Sequence, residues 1–126
     1  MTSDPNELDY DALLRANMVR IFNQRSAQER LAAIAELWSS EPTLFEREQA
    51  FVGAQAISDN LAALHARLPA GTEFVPVGHA IGHHGAAILR WQAVSPGRAA
   101  HTTGTDVAFV KDGRIDRLYV FLDPHS

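Results

Sequence analysis

The chain has 126 residues, of which 46% are hydrophobic, 11 are basic, 15 are acidic and none is cysteine. This length predicts a single domain over residues 1–126, because domains commonly hold about 100–200 residues. Without cysteine there can be no disulfide framework, thiolate metal site or thiol nucleophile.

The charge and hydropathy pattern argue against two classes of partner. The formal charge is −4 and the basic residues are scattered, so no nucleic-acid partner is expected. No apolar run approaches the roughly 18 residues of a membrane span, and the first residues are acidic where a signal peptide would be basic. We therefore expect a soluble, cytoplasmic protein with no membrane partner.

Residues 4–25 are predicted to form the first helix. Their apolar side chains recur at intervals of three and four residues, which is the spacing of one helix face. Two starts are compatible with the sequence. One is a cap at Asp4 followed by Pro5 and Glu7, and the other lies near Asp9.

Two further helices are predicted downstream. Ser26 and Glu29 form a capping box that begins the second helix, which is expected to end near residues 39–40 because Pro42 disfavours helical geometry just before it. The third helix covers residues 54–68, where leucines keep helical spacing until a Pro-Ala-Gly sequence ends the pattern.

Extended segments dominate the second half of the chain. Strands are predicted at residues 74–81, 86–94, 98–110 and 114–122, and shorter β-prone stretches at 43–46 and 51–52. Residues 95–97 and 111–113 are hairpin turns, the latter because Asp-Gly tolerates positive φ. The order predicts an α+β fold with three N-terminal helices packed on one face of a curved antiparallel sheet.

Several short segments occur in an order that resembles a known superfamily. They are residues 31–38 leading into 41–46, then 53–57, 83–84 ahead of Trp91, 104–107, and 112–115 running to Phe121. Together they are similar to the nuclear transport factor 2-like superfamily, in its SnoaL-like polyketide cyclase and ketosteroid isomerase branch. The resemblance implies a cone-shaped α+β barrel that encloses an apolar cavity and is commonly a homodimer.

For function, the resemblance implies binding of a small hydrophobic or cyclic carbonyl compound. Isomerisation and cyclisation of such compounds share one step, the removal of a proton α to a carbonyl. A non-catalytic ligand-binding or dimerisation module of the same fold is the alternative, since one fold hosts many functions. No cofactor is expected.

Asp106 is the first candidate catalytic residue. Strand alternation places it on one side of its strand with Thr102, Gly104 and Ala108. If that side faces the cavity, as the resemblance implies, poor solvation raises the pKa of Asp106 and suits it to acid or base catalysis. The alternative is that Asp106 bonds the backbone near a strand bend. Four further residues are then expected to line the cavity around it: Leu89, Trp91, Leu118 and Val120.

Glu46 and Met18 are assigned by the same resemblance. Glu46 occupies the position of the proton-shuttling carboxylate of ketosteroid isomerases, and Asp106 that of their protonated oxyanion donor. Met18 aligns with their helix-one tyrosine and offers only a weak thioether acceptor, so the isomerase machinery looks incomplete. A solvated position in the charged run of residues 46–48 is the alternative for Glu46.

Asn17 and Trp38 are candidate ligand contacts. Asn17 lies inside the apolar stripe of the first helix, where its amide either binds a substrate oxygen or caps a neighbouring element. Trp38 and Trp91 are either core residues or cavity walls whose indole N–H groups bind a ligand.

The histidines do not predict a metal site. His83 and His84 are adjacent and should point to opposite faces of an extended strand, and no three ligands converge. By resemblance His84 is a candidate proton-transfer partner, with a strand-end hydrogen bond as the alternative.

A homodimer is expected through the outer face of the sheet. Five residues alternate with the presumed cavity residues on their strands: His101, Val107, Phe109, Tyr119 and Phe121. Such an apolar face would be unusual if left in water.

Overall fold

A computed structural model describes residues 8–98 and 102–124 of the chain. Its helical elements are α1 (Tyr10–Asn17), a π-helical turn (Met18–Phe22), α2 (Ala27–Leu37) and α3 (Ala54–Arg67). Its strands are β1 (Trp38–Phe45), β2 (Ala50–Val52), β3 (Glu73–His83), β4 (Ala86–Val94), β5 (Thr102–Lys111) and β6 (Arg114–Leu122). None of the helices in this part of the chain is both long and apolar enough to cross a bilayer.

The six strands form one mixed sheet in the order β2-β1-β6-β5-β4-β3. The predicted antiparallel pairing is correct for β3 to β6 but incomplete for the sheet, because β1 lies parallel to β6. β1 and β6 are not joined by a hairpin, because β2, α3 and β3 to β5 lie between them in the chain. The parallel pair forms when the last strand returns to lie beside β1. The α+β class is confirmed, while the cone shape and strong curvature stay predictions.

The predicted helix starts agree with the structure where it describes them. Asp9 caps α1 by accepting from the backbone of Ala12, and Ser26 caps α2 by accepting from Glu29 at 3.3 Å. The alternative start at Asp4 lies outside the described residues. Side-chain oxygens at these positions satisfy backbone N–H groups that the first helical turn leaves unpaired.

Two predicted helix ends were wrong. The first helix widens after Asn17 into a π-helical turn, in which Asn23 N bonds Met18 O at 2.9 Å. The second helix ends at Leu37 rather than near residues 39–40. Trp38 begins β1 because its backbone pairs with Ile115 of β6, a distant partner that local periodicity does not reveal.

Tight turns set the strand register in the β3–β4 and β5–β6 hairpins. Asp112 and Gly113 both have positive φ, as expected for the predicted β5–β6 hairpin. The β3–β4 turn falls at residues 84–85, where both residues have positive φ, and β4 covers the residues 86–94 that were predicted for it.

The helices and the inner face of the sheet enclose the apolar core. The largest fully buried apolar side chains come from every layer: Leu14, Met18, Ile21, Ile34, Trp38, Leu44, Ile57, Leu61, Leu89, Ile115 and Leu118. Each such side chain contributes about 1.5–3 kcal/mol when removed from water. The core therefore holds the helices against one face of the sheet and leaves the other face uncovered.

Gly104 of β5 is predicted to be essential for this packing. A Cβ at this position would overlap the indole of Trp91 and lie 2.5 Å from the carbonyl oxygen of Phe121. We expect Gly104→Ala to lower the free energy of unfolding by about 1–3 kcal/mol, measured by urea denaturation. Thr105→Ala, on the opposite face, is the control and should change it by less than about 0.5 kcal/mol. Equal stability of the two variants would contradict this packing.

Candidate functional site

The inner face of β5 carries a single carboxyl group. Gly104, Asp106 and Ala108 are all buried, and the intervening residues are partly exposed, so the expected alternation is observed. Asp106 is only 4% exposed. Few carboxyl groups are buried to this degree without a charged partner, which makes Asp106 the leading candidate for chemistry.

Apolar residues of the neighbouring strands flank Asp106. Leu89 of β4 and Val120 of β6 are its direct cross-strand partners, and Leu118 is opposite the next inward residue, Ala108. Leu89 and Leu118 are buried, and Val120 is half-buried. The structure thus brings these predicted wall residues together around the carboxyl group.

Trp91 supplies the one polar contact of Asp106 within the described chain. The indole Nε1 donates to Asp106 Oδ1 at 2.9 Å, and Phe74 packs edge-on against the indole at 5.4 Å. Burial raises the pKa of Asp106 to about 7, and the hydrogen bond from Trp91 opposes the shift. Because Oδ1 accepts this bond, the proton of the acid form is placed on Oδ2.

Asn17, Met18 and Trp38 form a second buried group in the helical layer. Trp38 Nε1 donates to Asn17 Oδ1 at 2.7 Å, and the amide nitrogen of Asn17 is buried with no hydrogen-bond partner among the described residues. Met18 is buried in the first position of the π-helical turn. The sequence placed Asn17 correctly as a buried polar residue, but not its contact with Trp38.

Glu46 lies just after β1 and is partly buried. Its Oε2 accepts from Nδ2 of Asn60 at 2.9 Å, and its backbone N–H bonds Gln49. The partial burial and the bond from Asn60 differ from the solvated position that was the alternative for Glu46. No contact joins Glu46 to Asp106, and its catalytic role stays a prediction.

The expectation that His83 and His84 point to opposite faces was wrong. Their Nδ1 atoms are 3.1 Å apart, because the positive φ of His84 turns it out of the strand. His84 is exposed in the β3–β4 turn, whereas Asp106 is buried in the middle of β5. This placement does not favour the proposed proton exchange between them.

Space for a ligand next to Asp106 stays a prediction. An open depression of about 370 Å³ is lined mainly by residues 71–75 and 94–98, at the ends of β3 and β4, and includes none of the predicted site residues. In residues 8–98 and 102–124, no three His, Asp or Glu side chains are grouped to hold a metal ion.

The outer face of the sheet carries a continuous row of apolar side chains, which we call the outer row. Successive cross-strand pairs connect its five members across five strands: Phe45, Tyr119, Val107, Ile88 and Ile81. The rings of Phe45 and Tyr119 stack at 4.3 Å, and Ile88 and Ile81 are 43% and 68% exposed. Phe109 and Phe121 flank Tyr119 on the same face, while His101 lies outside the described residues.

The raised pKa of Asp106 predicts an unusual pH dependence of stability. The folded chain keeps this proton up to about pH 7, and the unfolded chain loses it near 3.8. Unfolding therefore releases a proton between these values, so the free energy of unfolding falls as pH rises through the window, by on the order of 4 kcal/mol in total.

Asp106→Asn mimics the protonated form and should remove this fall, which makes it more stable than the wild type at pH 8. Urea denaturation from pH 4 to pH 8 measures the effect. Glu48→Gln, which removes an exposed carboxylate, is the control and should leave the slope unchanged. An unchanged slope in Asp106→Asn would show that Asp106 ionises normally.

Comparison with solved structures identifies the fold. The chain is similar to a proposed isomerase of the SnoaL-like family from Agrobacterium tumefaciens, with a TM-score of 0.82 and 24% identity over 90% of this chain and 96% of that one. It is similar to a proposed polyketide cyclase from Sinorhizobium meliloti, with a TM-score of 0.66 and 19% identity over 89% and 95%. A third similar structure is a proposed ketosteroid isomerase from Kribbella flavida, with a TM-score of 0.69 and 15% identity over 92% and 78%.

No protein-family model and no curated protein matches the sequence. Identities below 25% carry the fold and leave the activity open. The chain has the nuclear transport factor 2-like fold, in the form found in SnoaL-like, polyketide cyclase-like and ketosteroid isomerase-like structures.

Proposed function

We propose that the chain binds a small apolar carbonyl compound between its helices and the inner face of the sheet, and that Asp106 transfers a proton to or from it. The observation that carries this proposal is a buried carboxyl group with a pKa of about 7 and no cationic partner among the described residues. Near neutral pH such a group is present in both forms, which is the condition for efficient proton transfer.

The apolar surroundings of Asp106 support the choice of ligand. Leu89 and Val120 lie directly beside it, so a hydrocarbon frame loses little on entering, whereas a charged compound would lose its hydration without a counter-charge. Proton transfer at a carbon α to a carbonyl needs no group beyond an acid or base and a donor to the oxygen. The similar isomerase and cyclase structures are compatible with this class.

The proton balance of this step depends on the form in which Asp106 acts. As a carboxylate it takes the α proton on Oδ2, the C–H electron pair forms the new C=C bond, and the carbonyl π pair moves onto the oxygen to give an enolate. As an acid it donates from Oδ2 to that oxygen while another base, for which Glu46 is the candidate, removes the α proton. Whether the rate of proton transfer rises or falls with pH distinguishes these two roles.

Exchange of the α protons of 2-tetralone for deuterium, followed by NMR, tests the activity. We expect wild-type protein to accelerate exchange with an inflection near pH 7, and Asp106→Asn to lose about 100-fold or more of the acceleration. A rate that rises through the inflection assigns Asp106 as base, and a falling rate assigns it as acid. Glu48→Gln is the control for loss of one surface carboxylate.

The second candidate function is a ligand-binding module without catalysis. Met18 favours this candidate, because it offers no hydrogen-bond donor at the position where the resemblance places the tyrosine of ketosteroid isomerases. Binding of 2-tetralone without any exchange above the buffer rate would support this candidate and contradict proton transfer by Asp106.

We also propose that the outer face pairs two copies of this chain. The five long strands, β1 and β3 to β6, are spaced ~4.8 Å apart and roughly 30 Å long, so they present a face of about 700 Å², close to the area that each partner buries in a standard interface. The outer row has no charged member, and an apolar row of this kind can pair with the same row of a second copy under two-fold symmetry.

Sedimentation velocity at micromolar concentration tests this pairing. We expect a dimer for the wild type and a monomer for Ile88→Glu, because the glutamate would be buried inside the apolar outer row. Val19→Glu is the matched control, since Val19 is 60% exposed on the helical layer, and it should stay dimeric. A monomeric wild type would rule the interface out.

A further inference from the structure

The contact between Trp38 and Asn17 fixes which way the Asn17 carboxamide points. Both side chains are fully buried, and Trp38 Nε1 lies 2.7 Å from Asn17 Oδ1. An indole nitrogen can only donate, so the amide must present its oxygen to Trp38. If the amide were reversed, its Nδ2 donor would face the indole N–H donor with no acceptor between them. The Nδ2 group is therefore held on the side away from the indole.

The Nδ2 group has two N–H donors and no acceptor within the described residues, although the atom is inaccessible to solvent. Leaving a buried donor unpaired costs about 1–3 kcal/mol. Native structures rarely carry this cost without a reason, and a donor kept free by a fixed neighbour is suited to an acceptor that arrives from outside.

The surroundings of Asn17 limit what that acceptor can be. The buried residues beside it in the chain are apolar, including Leu14, Met18 and Ile21. An uncharged frame with one acceptor oxygen fits these neighbours, whereas a cation or a group that only donates would meet two N–H groups and no oxygen.

We infer that the Asn17 amide nitrogen binds the oxygen atom of the ligand and that Trp38 is its positioning residue. The inference rests on the proposed function, since it requires an apolar carbonyl compound to enter between helices and sheet. It narrows the ligand class to compounds with a carbonyl or enolate oxygen. It also supplies the donor that Met18 cannot provide, because enolate formation places negative charge on that same oxygen.

The test compares two ligands with the same carbon frame, 2-tetralone with its carbonyl oxygen and tetralin without it. Their dissociation constants are measured by titration against wild-type protein, Trp38→Phe and the double variant Asn17→Leu with Trp38→Phe. The double variant removes both hydrogen-bonding groups, so no indole N–H is left unpaired. NMR of the side-chain amides reports on Asn17 in the wild type without any substitution.

We expect wild-type protein to prefer 2-tetralone about tenfold, as one hydrogen bond near 1.4 kcal/mol would give. The double variant should lose this preference and keep its affinity for tetralin. Trp38→Phe should lower the preference by about twofold, because the amide is then free to turn. The Asn17 amide protons should shift with 2-tetralone and not with tetralin, a result that does not depend on the stability of any variant.

A double variant that keeps the preference, or an amide signal that does not respond to the ketone, would overturn the role of Asn17. If the wild type binds and exchanges 2-tetralone under those conditions, the proposed function survives and only this inference fails. If the wild type binds neither compound, the proposed function and the inference fail together.

Discussion

Burial of one acidic side chain is the constraint on which the rest of the site depends. Asp106 sits on the inner face of β5 with leucine and valine neighbours, and its hydrogen bond from Trp91 replaces only part of the hydration it loses. Trp91 can make that bond because Gly104, its cross-strand partner, leaves room for the indole. Three residues on two adjacent strands therefore act as a unit that keeps a carboxyl group dry.

This arrangement costs stability at neutral pH, and the surrounding core offsets it. The apolar layer between helices and sheet contains many side chains that each contribute about 1.5–3 kcal/mol, so a few of them together offset the cost of the buried acid. Proteins commonly hold such unfavourable groups where they bind or react. Because side chains alternate between the two faces of each strand, the inner face of the sheet carries the acid while the outer face carries the outer row.

Local chemistry explains which parts of the fold were predictable from sequence. Ser26 and the Asp112-Gly113 pair act within a few residues, so their cap and turn could be read directly. Alternation grouped Gly104, Asp106 and Ala108 on one side of β5, and the resemblance implied that this side faces inward. These features depend on near neighbours and on fixed strand geometry, which a single sequence contains.

The parts that were missed depend on partners far along the chain. Trp38 leaves the helical pattern because Ile115, 77 residues later, pairs with it. Its bond to Asn17 could not be seen from two residues that lie on separate predicted helices. The close approach of His83 and His84 depends on one backbone angle in a turn. In each case a tertiary contact or a single backbone torsion, rather than local propensity, determines the structure.

The π-helical turn has a consequence for how the first helix faces the sheet. Its buried side chains come in pairs four positions apart: Leu13 and Leu14, then Asn17 and Met18, then Ile21 and Phe22. Four residues of a regular α-helix overshoot a full rotation by about 40°, so such pairs drift steadily around the cylinder. The π-helical turn rotates less per residue than an α-helix and so counteracts that drift. Pairs of buried side chains that recur every four residues can therefore keep facing the sheet where a helix contains such a turn.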